Sequence, residues 1–427
     1  MTKLPLIWST KVDKAWVCPA CDKSFVPYPC GMTTHAERIT PIVSDLIKIR
    51  HDIHRHPELA YHEHRTAEVI RQHLTDLGIK YVGDLGGGTG TLGYIPGRGQ
   101  KAVLLRADID ALPIHEETGL PYASTIEGKM HACGHDGHVS ILLGAARILQ
   151  QMSKEDELPN PVLLCFQPAE EGGGGGLKMV EDGVLDGTVI GPAAGRAFGL
   201  HGWPKMPLGQ AGSIPGPMLA AADRFELLVE GTGGHAAAPH YARDAVLCAA
   251  HIVTSLQALV SRESDPLDAV VLTVAAIHAG DAFNVIPRTA TMGGTVRTLL
   301  PESRSRMRDR IAAMAGSVAE GFGCATTLRW FPGYPVTNNV PELVDLVHAK
   351  IAESKGAKAV CPMEAPVMGA EDFSYYGEKV PACFFALGLC PEGMDMPNVH
   401  ESTFDFNDEA IPLGVETMVR LALEPLA

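Results

Sequence analysis

Short apolar segments that end in polar residues recur along the first half of the chain and restrict the fold more than any other feature. KAVLLRADIDALP (101–113), PVLLCFQPAEEGG (161–173) and RAFGLHGW (196–203) each open as an apolar run and close with acidic residues or a histidine. Such runs are typical of buried strands whose carboxyl ends meet solvent. Segments with helical spacing lie around them, at 36–80 and 141–150. The alternation predicts an α/β domain with a mostly parallel mixed sheet flanked by helices.

The segment pattern changes after about residue 217. Strands are expected at 224–231, 269–280, 289–299 and 325–331, and helices at 244–262 and 302–320. This strand–helix–strand–strand–helix–strand order predicts a small α+β unit in which two helices cover one face of a four-stranded sheet. A helix at 341–354, a strand at 381–388 and a helix at 407–424 then resume the first pattern. We therefore expect an N-terminal extension at 1–35, one domain formed by 36–217 and 332–427, and a second domain inserted at 218–331.

Charge and hydropathy exclude several classes of function. The chain has 427 residues, which favours two domains, and its formal net charge is −15. That charge opposes binding to nucleic acid or to anionic membranes, because both need a basic surface. No run of about 18 apolar residues predicts a membrane span, and the N-terminal segment has no apolar core that leads to a cleavage site. We expect a cytoplasmic protein with no nucleic-acid or membrane partner.

Side chains that bind metal ions gather in four short segments. Each segment lies at the end of an expected strand or in a glycine-rich turn, and the residues are Cys133 and His135 in HACGHDGH, Glu170 and Glu171 in QPAEEGG, His201 in GLHGW and His400 in NVHES. Thiolate, imidazole and carboxylate groups are ligands of zinc and similar divalent ions. A single loop histidine is usually only a surface residue, but the coincidence of four such segments predicts a metal site. Because ligands gather beyond the carboxyl ends of parallel strands, Asp108 and Asp110 are expected near it.

The adjacent pair Glu170 and Glu171 suits metal-assisted hydrolysis. Where a strand ends, neighbouring side chains point to opposite sides, so one carboxylate can hold metal while the other faces the substrate. In such reactions the ion lowers the pKa of a water molecule and a carboxylate takes its proton. The pattern alone leaves open which glutamate does which.

Motifs along nearly the whole chain resemble those of the M20 family of metallopeptidases. The resemblance is to its amidohydrolase branch, which contains N-acyl-amino-acid, hippurate and auxin-conjugate hydrolases. The motifs follow one another in the expected order: RHDIHRHPELAYHEHRTA (50–67), LRADIDALPI (105–114), MHACGHDGH (130–138), FQPAEEG (166–172), GLHGWP (199–204), GGHAAAPH (233–240), FNVIP (283–287), GTVRT (294–298), GAEDFSYY (369–376) and NVHES (398–402). The resemblance implies that the first domain is catalytic and that the inserted domain is a lid and dimerisation domain.

The same resemblance implies a binuclear metal site. Two divalent ions, of zinc, manganese, cobalt or nickel, would be held by Cys133, His135, Glu171, His201 and His400, with Glu170 as the general base. Cys133 stands where related branches place a bridging aspartate, and Asp110 is expected to orient a ligand. His131, Asp136 and His138 of the same motif are expected to be structural.

The resemblance further implies that the inserted domain supports a homodimer or a higher homo-oligomer and brings His235 and Asn284 to the substrate. His235 and Asn284 would reach toward the substrate in the partner subunit's active site and stabilise the charge that develops on the amide oxygen. Arg297 has two interpretations. It would either form a bidentate pair with a carboxylate of the substrate or pair structurally on a lid strand.

The N-terminus departs from the family pattern. Cys18, Cys21, Cys30 and His35 follow the spacing C-x2-C-x8-C-x4-H, which suits a structural zinc site. The alternative is a poorly ordered extension with free thiols.

The expected function is that of a metal-dependent amidohydrolase that cleaves the amide bond of a small N-acyl amino acid. A dipeptidase, a carboxypeptidase or an N-carbamoyl-amino-acid hydrolase on the same scaffold is the alternative among enzymes. Outside catalysis, the chain would be a nucleic-acid-associated protein that binds through its finger-like N-terminus, or a catalytically silent metal-binding relative. The net charge opposes the first hypothesis, and the intact ligand set with Glu170 opposes the second.

Overall fold

The computed structural model describes residues 35–426 of the chain. The α-helices within these residues are α1 (Ala36–Ile39), α2 (Val43–Arg55), α3 (His64–Leu77), α4 (His135–Lys154), α5 (Gly175–Glu181), α6 (Ala245–Ala258), α7 (Pro301–Gly321), α8 (Pro341–Lys355), α9 (Ser374–Gly377) and α10 (Ile411–Leu423). The strands are β1 (Lys80–Leu85), β2 (Gly90–Ile95), β3 (Ala102–Asp108), β4 (Val162–Gln167), β5 (Ala194–Pro207), β6 (Ala211–Gly212), β7 (Gly216–Leu219), β8 (Ala221–Glu230), β9 (Gly234–His235), β10 (Val270–His278), β11 (Val285–Ile286), β12 (Thr289–Thr298), β13 (Ala325–Phe331), β14 (Thr337–Asn339) and β15 (Ala382–Cys390).

A seven-stranded mixed sheet with the order β1-β2-β4-β3-β5-β15-β6 is the main layer. Its inner strands β4, β3, β5 and β15 are parallel, whereas β1, β2 and β6 pair antiparallel at the edges. Every residue of β3 and β4 is buried, as expected for parallel strands that are covered on both faces. The sheet confirms the α/β class with a mostly parallel mixed sheet that the alternating pattern predicted.

Helix α4 packs on this sheet between α2 and α10. Gly144 permits the close approach of the three helices, since a Cβ built there would lie 2.7 Å from the side chains of Leu46 and Val415. Interiors packed at this density do not absorb an extra methyl group without movement. Helix α4, which begins beside the predicted metal ligands, is therefore rigidly placed.

The second sheet is antiparallel, has four strands in the order β10-β12-β8-β13, and carries α6 and α7 on one face. Its core joins Phe225, Leu227 and Val229 of β8 to Ile252 of α6 and Ile311 of α7. This arrangement confirms the predicted α+β unit with a four-stranded sheet and two helices. We call this unit, strands β8, β10, β12 and β13 with α6 and α7, the lid.

One helical stretch of the described residues, Ala245–Glu263, is long and apolar enough to cross a membrane by length and composition alone. A third of its most apolar window is buried, because Cys248 and Ile252 face the lid core. Val246 and Leu247 on another face are exposed. One such helix is weak evidence of a membrane span, since packing on the lid sheet already accounts for much of its apolar character.

Two features differ from the sequence expectation. Helix α4 begins at His135 rather than near 141, because Gly134 takes a left-handed φ of +88° and turns the chain directly into the helix. The antiparallel strands β1 and β2 are absent from the expected elements, since Gly83, Gly90 and Gly93 interrupt the apolar pattern by which a strand is recognised.

Candidate active site

The carboxyl edge of the seven-stranded sheet brings the predicted metal-site residues together. Strand β3 ends at Asp108, and the turn that follows β4 holds Glu170 and Glu171. His201 lies within β5, which pairs with β3 on one side and β15 on the other. His400 comes from the loop that precedes α10, where its backbone N–H donates to the carbonyl of Ala132 at 2.7 Å.

Cys133 and His135 lie on either side of Gly134, at the point where helix α4 begins. Gly134 has a positive φ, and a Cβ at this position would also lie 3.0 Å from the ring of Phe406. The Nδ1 atom of His135 donates to the backbone carbonyl of Asp110 at 2.9 Å. Because Nδ1 holds a hydrogen, the neutral ring presents a lone pair at Nε2, although without a metal the acids Asp108, Asp110 and Glu171 raise the pKa of His135 to about 10.

Asp110 fixes the turn that holds both glutamates. Its Oδ1 accepts the N–H of Glu170 and its Oδ2 accepts the N–H of Glu171, each at 3.0 Å. Together with its carbonyl, which accepts from His135, this buried residue ties β3, α4 and the turn after β4 to one another. The contacts fit the predicted orienting role.

Two of the groups that the predicted ligands form share Cys133, and His135 also lies close to Glu170 and Glu171. Cys133, His135 and His201 form one group, Cys133, Glu171 and His400 form the other, and the ligand atoms within each group lie within 4.8 Å of one another. The Sγ atom of Cys133 is 3.3 Å from Nε2 of His201, and Nε2 of His400 is 3.1 Å from Oε1 of Glu171. The shared thiol thus lies where a ligand that bridges two ions would lie.

Two buried atoms in these groups have no hydrogen bond. They are Nε2 of His135 and Oε1 of Glu171, the second of which faces His400 without hydrogen-bond geometry. Buried polar atoms are rarely left without a partner, so each such atom needs an explanation. Convergent thiol, imidazole and carboxylate atoms provide one, because they are the donor set of a divalent-ion site.

Protein groups alone leave the cluster electrostatically unbalanced. Burial and the charges of Glu171 and Glu170 raise the pKa of the Cys133 thiol well above its usual value. Burial, together with the nearby acids Glu371 and Glu171, likewise raises the pKa of Glu170 well above that of a free carboxyl group. Divalent cations would stabilise the thiolate of Cys133 and the carboxylate of Glu170, since a bound ion is the largest local charge in such a site, whereas the histidines His400 and His135 already lower the pKa of Glu171. The residues present therefore fit a metal centre.

A buried arginine gathers three further carboxylates beside the predicted ligands. Arg106 donates to Asp108 at 2.5 Å, to Glu371 at 2.8 Å and to Asp372 at 2.9 Å. The carboxylates of Glu371 and Asp372 also lie within 4.8 Å of Glu170. The sequence pattern predicts no role for Glu371 and Asp372. The acidic pair in GAEDF follows no apolar strand, so it lacks the pattern that marked the other acids.

The hydrogen bonds of His138 indicate a structural role for this residue. Its Nε2 accepts the N–H of Gly202 at 2.9 Å, and its Nδ1 donates to Asp108 at 2.6 Å. Both nitrogens are occupied, so His138 has no lone pair for a metal although it lies close to Asp108 and His135. His131 is buried with neither ring nitrogen hydrogen-bonded, and nothing in the structure explains this.

A cavity of about 620 Å³ opens over the two ligand groups. Its walls include His201 on the main sheet, Ala222 and Arg297 on the lid sheet, and Cys133, Glu170, Glu171, Glu371 and His400 from turns and loops. Within the described residues, the Arg297 guanidinium makes no ion pair and only one long contact, of 3.5 Å to the carbonyl of Val296. Arg297 thus lines the cavity without a structural ion pair among these residues.

The structure brings His235 and Asn284 together, but not at this cavity. His235 on β9 pairs with Val285 on β11, and the N–H of Ala236 donates to the carbonyl of Asn284 at 3.0 Å. Both residues are exposed, and neither lines the cavity of its own chain. The Nδ1 of His235 accepts the N–H of Ala237 at 3.0 Å, so the ring hydrogen is on Nε2, which is free to donate.

The predicted zinc site near the N-terminus falls largely outside the described residues. Cys18, Cys21 and Cys30 belong to residues 1–34, which the structure does not describe. His35 precedes helix α1, and burial lowers its pKa.

Comparison with known proteins agrees with the motifs. A family model described as "Peptidase family M20/M25/M40" matches residues 104–424. The chain belongs to this peptidase family.

Relatives and solved structures of M20 proteins cover nearly the whole chain. IAA-amino acid hydrolase ILR1-like 5 from Arabidopsis thaliana is 40% identical over 382 residues, which are 88% of this chain and 86% of the relative. N-acetylcysteine deacetylase from Bacillus subtilis (strain 168) is 37% identical over 379 residues, with coverages of 88% and 96%. The crystal structure of the Bacillus subtilis YXEP protein, described as a dinuclear metal binding peptidase from M20 family, has a TM-score of 0.78 at 33% identity and covers 90% of this chain and 98% of that one.

A buried network of charged side chains contacts the first turn of α4, which carries part of the predicted ligand segment of this M20 chain. His54 on α2 lies 2.8 Å from the carboxylate of Asp136, in the first turn of α4, and 3.3 Å from that of Glu116. Arg50, one turn earlier, lies 3.8 Å from Asp136. Burial acts to lower the pKa of His54, but Asp136 and the hydrogen bonds to both carboxylates outweigh it and raise the pKa to about 9. His54 is therefore an imidazolium at neutral pH.

The raised pKa makes the stabilising contribution of His54 depend on pH. The contribution is complete below the unfolded-state pKa of about 6.5 and is lost as the pH rises through about 9. The difference in Tm between the wild type and His54→Gln should therefore be largest near about pH 6 and should shrink by about pH 10. His73→Gln is the control, because burial lowers the pKa of His73 and its effect should be constant above about pH 7. A His54 effect that stays constant over this range would show that the ring is neutral.

Proposed function

We propose that this protein is a metal-dependent amidohydrolase that cleaves the amide bond of N-acyl amino acids. The observation that carries the proposal is the pair of ligand groups that share Cys133, with the carboxylate of Glu170 beside them on the wall of one cavity. The named activities of the relatives support the substrate class. IAA-amino acid hydrolase and N-acetylcysteine deacetylase are both named for amino acids with an acylated nitrogen.

Two divalent ions would complete the site. Cys133, His135 and His201 would hold one ion, and Cys133, Glu171 and His400 would hold the other. The YXEP protein, described as binding a dinuclear metal, supports this number. Such ions supply Lewis-acid stabilisation of developing negative charge and make water a better acid. The thiol favours softer ions, and zinc, manganese, cobalt and nickel all fit the donor set.

Glu170 would act as the general base. It would take a proton from the attacking water and return it to the nitrogen of the leaving amino acid. Its backbone is held on both sides, since its N–H donates to Asp110 and its carbonyl accepts from the hydroxyl of Tyr334 at 2.5 Å. Glu171, its neighbour, faces His400 instead, so the two acids have separate tasks.

Arg297 would bind the carboxylate of the substrate. It lies on β12 of the lid and lines the same cavity as the ligand groups. A guanidinium offers two parallel N–H donors to a carboxylate, which sets the direction of the bound molecule as well as its affinity. A free carboxylate is the feature that all N-acyl amino acids share, so this contact would select the class rather than one member.

Glu170→Gln tests the assignment of the base. The change removes the basic oxygen but keeps the size of the side chain, so kcat should fall by roughly 10²–10⁴-fold, the usual contribution of a general base. Metal content should stay at the wild-type value. The assay is hydrolysis of N-acetyl-, N-benzoyl- and indoleacetyl-amino acids, with a dipeptide as comparison, by protein loaded with each candidate metal.

Glu181→Gln is the matched control for this variant. It makes the same chemical change on the exposed end of α5, away from the cavity, and should leave kcat unchanged. If Glu170→Gln loses metal as well as activity, Glu170 is a ligand and Glu171 is the base.

His235 and Asn284 would act in the active site of a partner subunit. Both are exposed, neither lines the cavity of its own chain, and Phe283 beside them is fully exposed. Further apolar side chains, Val246 on α6 and Ile277 on the edge strand β10, are exposed on the lid. These surfaces suit a homodimer in which each lid covers the other chain's site. There the free Nε2–H of His235 would donate to the amide oxygen as its charge develops.

Mixing two inactive variants tests this arrangement. His235→Ala should lower kcat by roughly 10²–10³-fold, the scale of one such donor. When His235→Ala and Glu170→Gln chains exchange subunits, each heterodimer contains one complete site, and activity should return to about half of the wild-type value per dimer. A mixture of Cys133→Ala with Glu170→Gln should regain nothing, because both changes lie in the same site. If His235→Ala and Glu170→Gln chains form heterodimers but activity does not return, His235 does not act across the dimer.

A further inference from the structure

Three successive backbone N–H groups in the turn after β4 are held by carboxylates from other segments. Asp110 accepts from Glu170 and Glu171, and Glu63 accepts from Ala169 at 2.9 Å. Asp110 belongs to the expected site, whereas Glu63 lies in the motif at 50–67, outside the predicted ligands and the predicted base. The proposed general base therefore follows directly after a residue that Glu63 holds.

The surroundings of Glu63 supply hydrogen-bond donors to its carboxylate. The side chain is fully buried, its Oε1 accepts the N–H of Ala169 and that of Tyr61, and its Oε2 accepts the hydroxyl of Thr89 at 2.6 Å. Within the described residues these donors are all neutral, and no arginine or lysine pairs with it. Burial raises the pKa of Glu63, although its hydrogen bonds act in the opposite direction. A buried carboxylate without a cation costs stability, so Glu63 depends on these three donors.

Ala169 needs such a contact because of its backbone conformation. Its φ is +54°, in the left-handed region that residues with a Cβ disfavour. Conformations of this kind persist only where the surroundings over-determine them, and they cluster at functional sites. Here the left-handed residue reverses the chain after β4, so the direction in which Glu170 and Glu171 leave the strand depends on it.

We propose that Glu63 is a positioning residue for the turn that follows β4 and holds Glu170 and Glu171, which we call the catalytic turn. Glu63 holds Ala169 in the left-handed conformation and thereby sets where the Glu170 carboxylate lies. The proposal rests on the proposed function, in which Glu170 is the base. Misplacement of a reacting group by about 1 Å costs roughly 10²-fold in rate, so the loss of this contact should lower kcat without removing any ligand.

Glu58 offers a matched control in the same segment. Its carboxylate also accepts two backbone N–H groups, those of Arg65 at 3.1 Å and Thr66 at 2.8 Å, but both belong to helix α3 and not to the catalytic turn. Glu58→Met and Glu63→Met thus remove equivalent hydrogen bonds at different places. Both should lower Tm. Only Glu63→Met should lower kcat, by roughly 10–10²-fold, with the KM and the metal content of the wild type.

Two conservative variants separate positioning from folding. Glu63→Gln keeps an oxygen toward the N–H groups of Ala169 and Tyr61. Its kcat should therefore be at least about 5-fold higher than that of Glu63→Met. Glu63→Asp keeps the charge but is one methylene shorter, so it should fold yet lose kcat by about 10-fold or more. Glu63→Asp therefore tests the proposal even if Glu63→Met does not fold.

Equal falls in kcat for Glu58→Met and Glu63→Met would overturn the proposal, and so would wild-type kcat in Glu63→Asp. Neither result would bear on whether the protein hydrolyses N-acyl amino acids. Failure of the wild type to hydrolyse any N-acyl amino acid would instead contradict the proposed function.

Discussion

Unbalanced negative charge, buried at the carboxyl edge of the main sheet, is the constraint on which the rest of the site depends. Arg106 is fully buried and neutralises part of it by binding Asp108, Glu371 and Asp372. Within residues 35–426, Glu170 and Glu171 have no arginine or lysine partner, and the thiol of Cys133 lies among them. Charges that are buried without compensation destabilise a fold by several kcal/mol, roughly 3–5 for a broken pair. Two divalent ions at the shared thiol would supply that compensation, so the ions would serve the fold as well as the reaction.

The backbone, more than the side chains, determines where the reactive groups lie. Gly134 turns the chain into α4 between Cys133 and His135, and Ala169 takes a left-handed conformation just before Glu170. His400 is also left-handed, with a φ of +69°. Strain of this kind is stable because buried acceptors such as Asp110 hold the neighbouring N–H groups. These backbone contacts hold the reactive groups in place, and a preset geometry is the condition for electrostatic stabilisation of a transition state.

Much of this arrangement follows from the sequence because parallel strands bring distant residues to one edge. The strand patterns at 101–113 and 161–173 are enough to predict that Asp108, Asp110, Glu170 and Glu171 lie together. Three further features lack a local signal. Glu371 and Asp372 reach the site through the buried Arg106, a contact between residues far apart in the chain. Glu63 acts through a backbone N–H, which no residue type reveals. The role that we propose for His235 requires a partner subunit, whose position the pattern of one chain does not encode.

The proposed site requires that two metal ions share Cys133 as a ligand. Anomalous diffraction from crystals of the metal-loaded protein, collected at the absorption edge of the ion, tests it most directly. A shared thiol predicts two peaks per chain, one among Cys133, His135 and His201 and the other among Cys133, Glu171 and His400, with the sulfur between them. A single peak, or two peaks of which only one has Cys133 as a ligand, would contradict it.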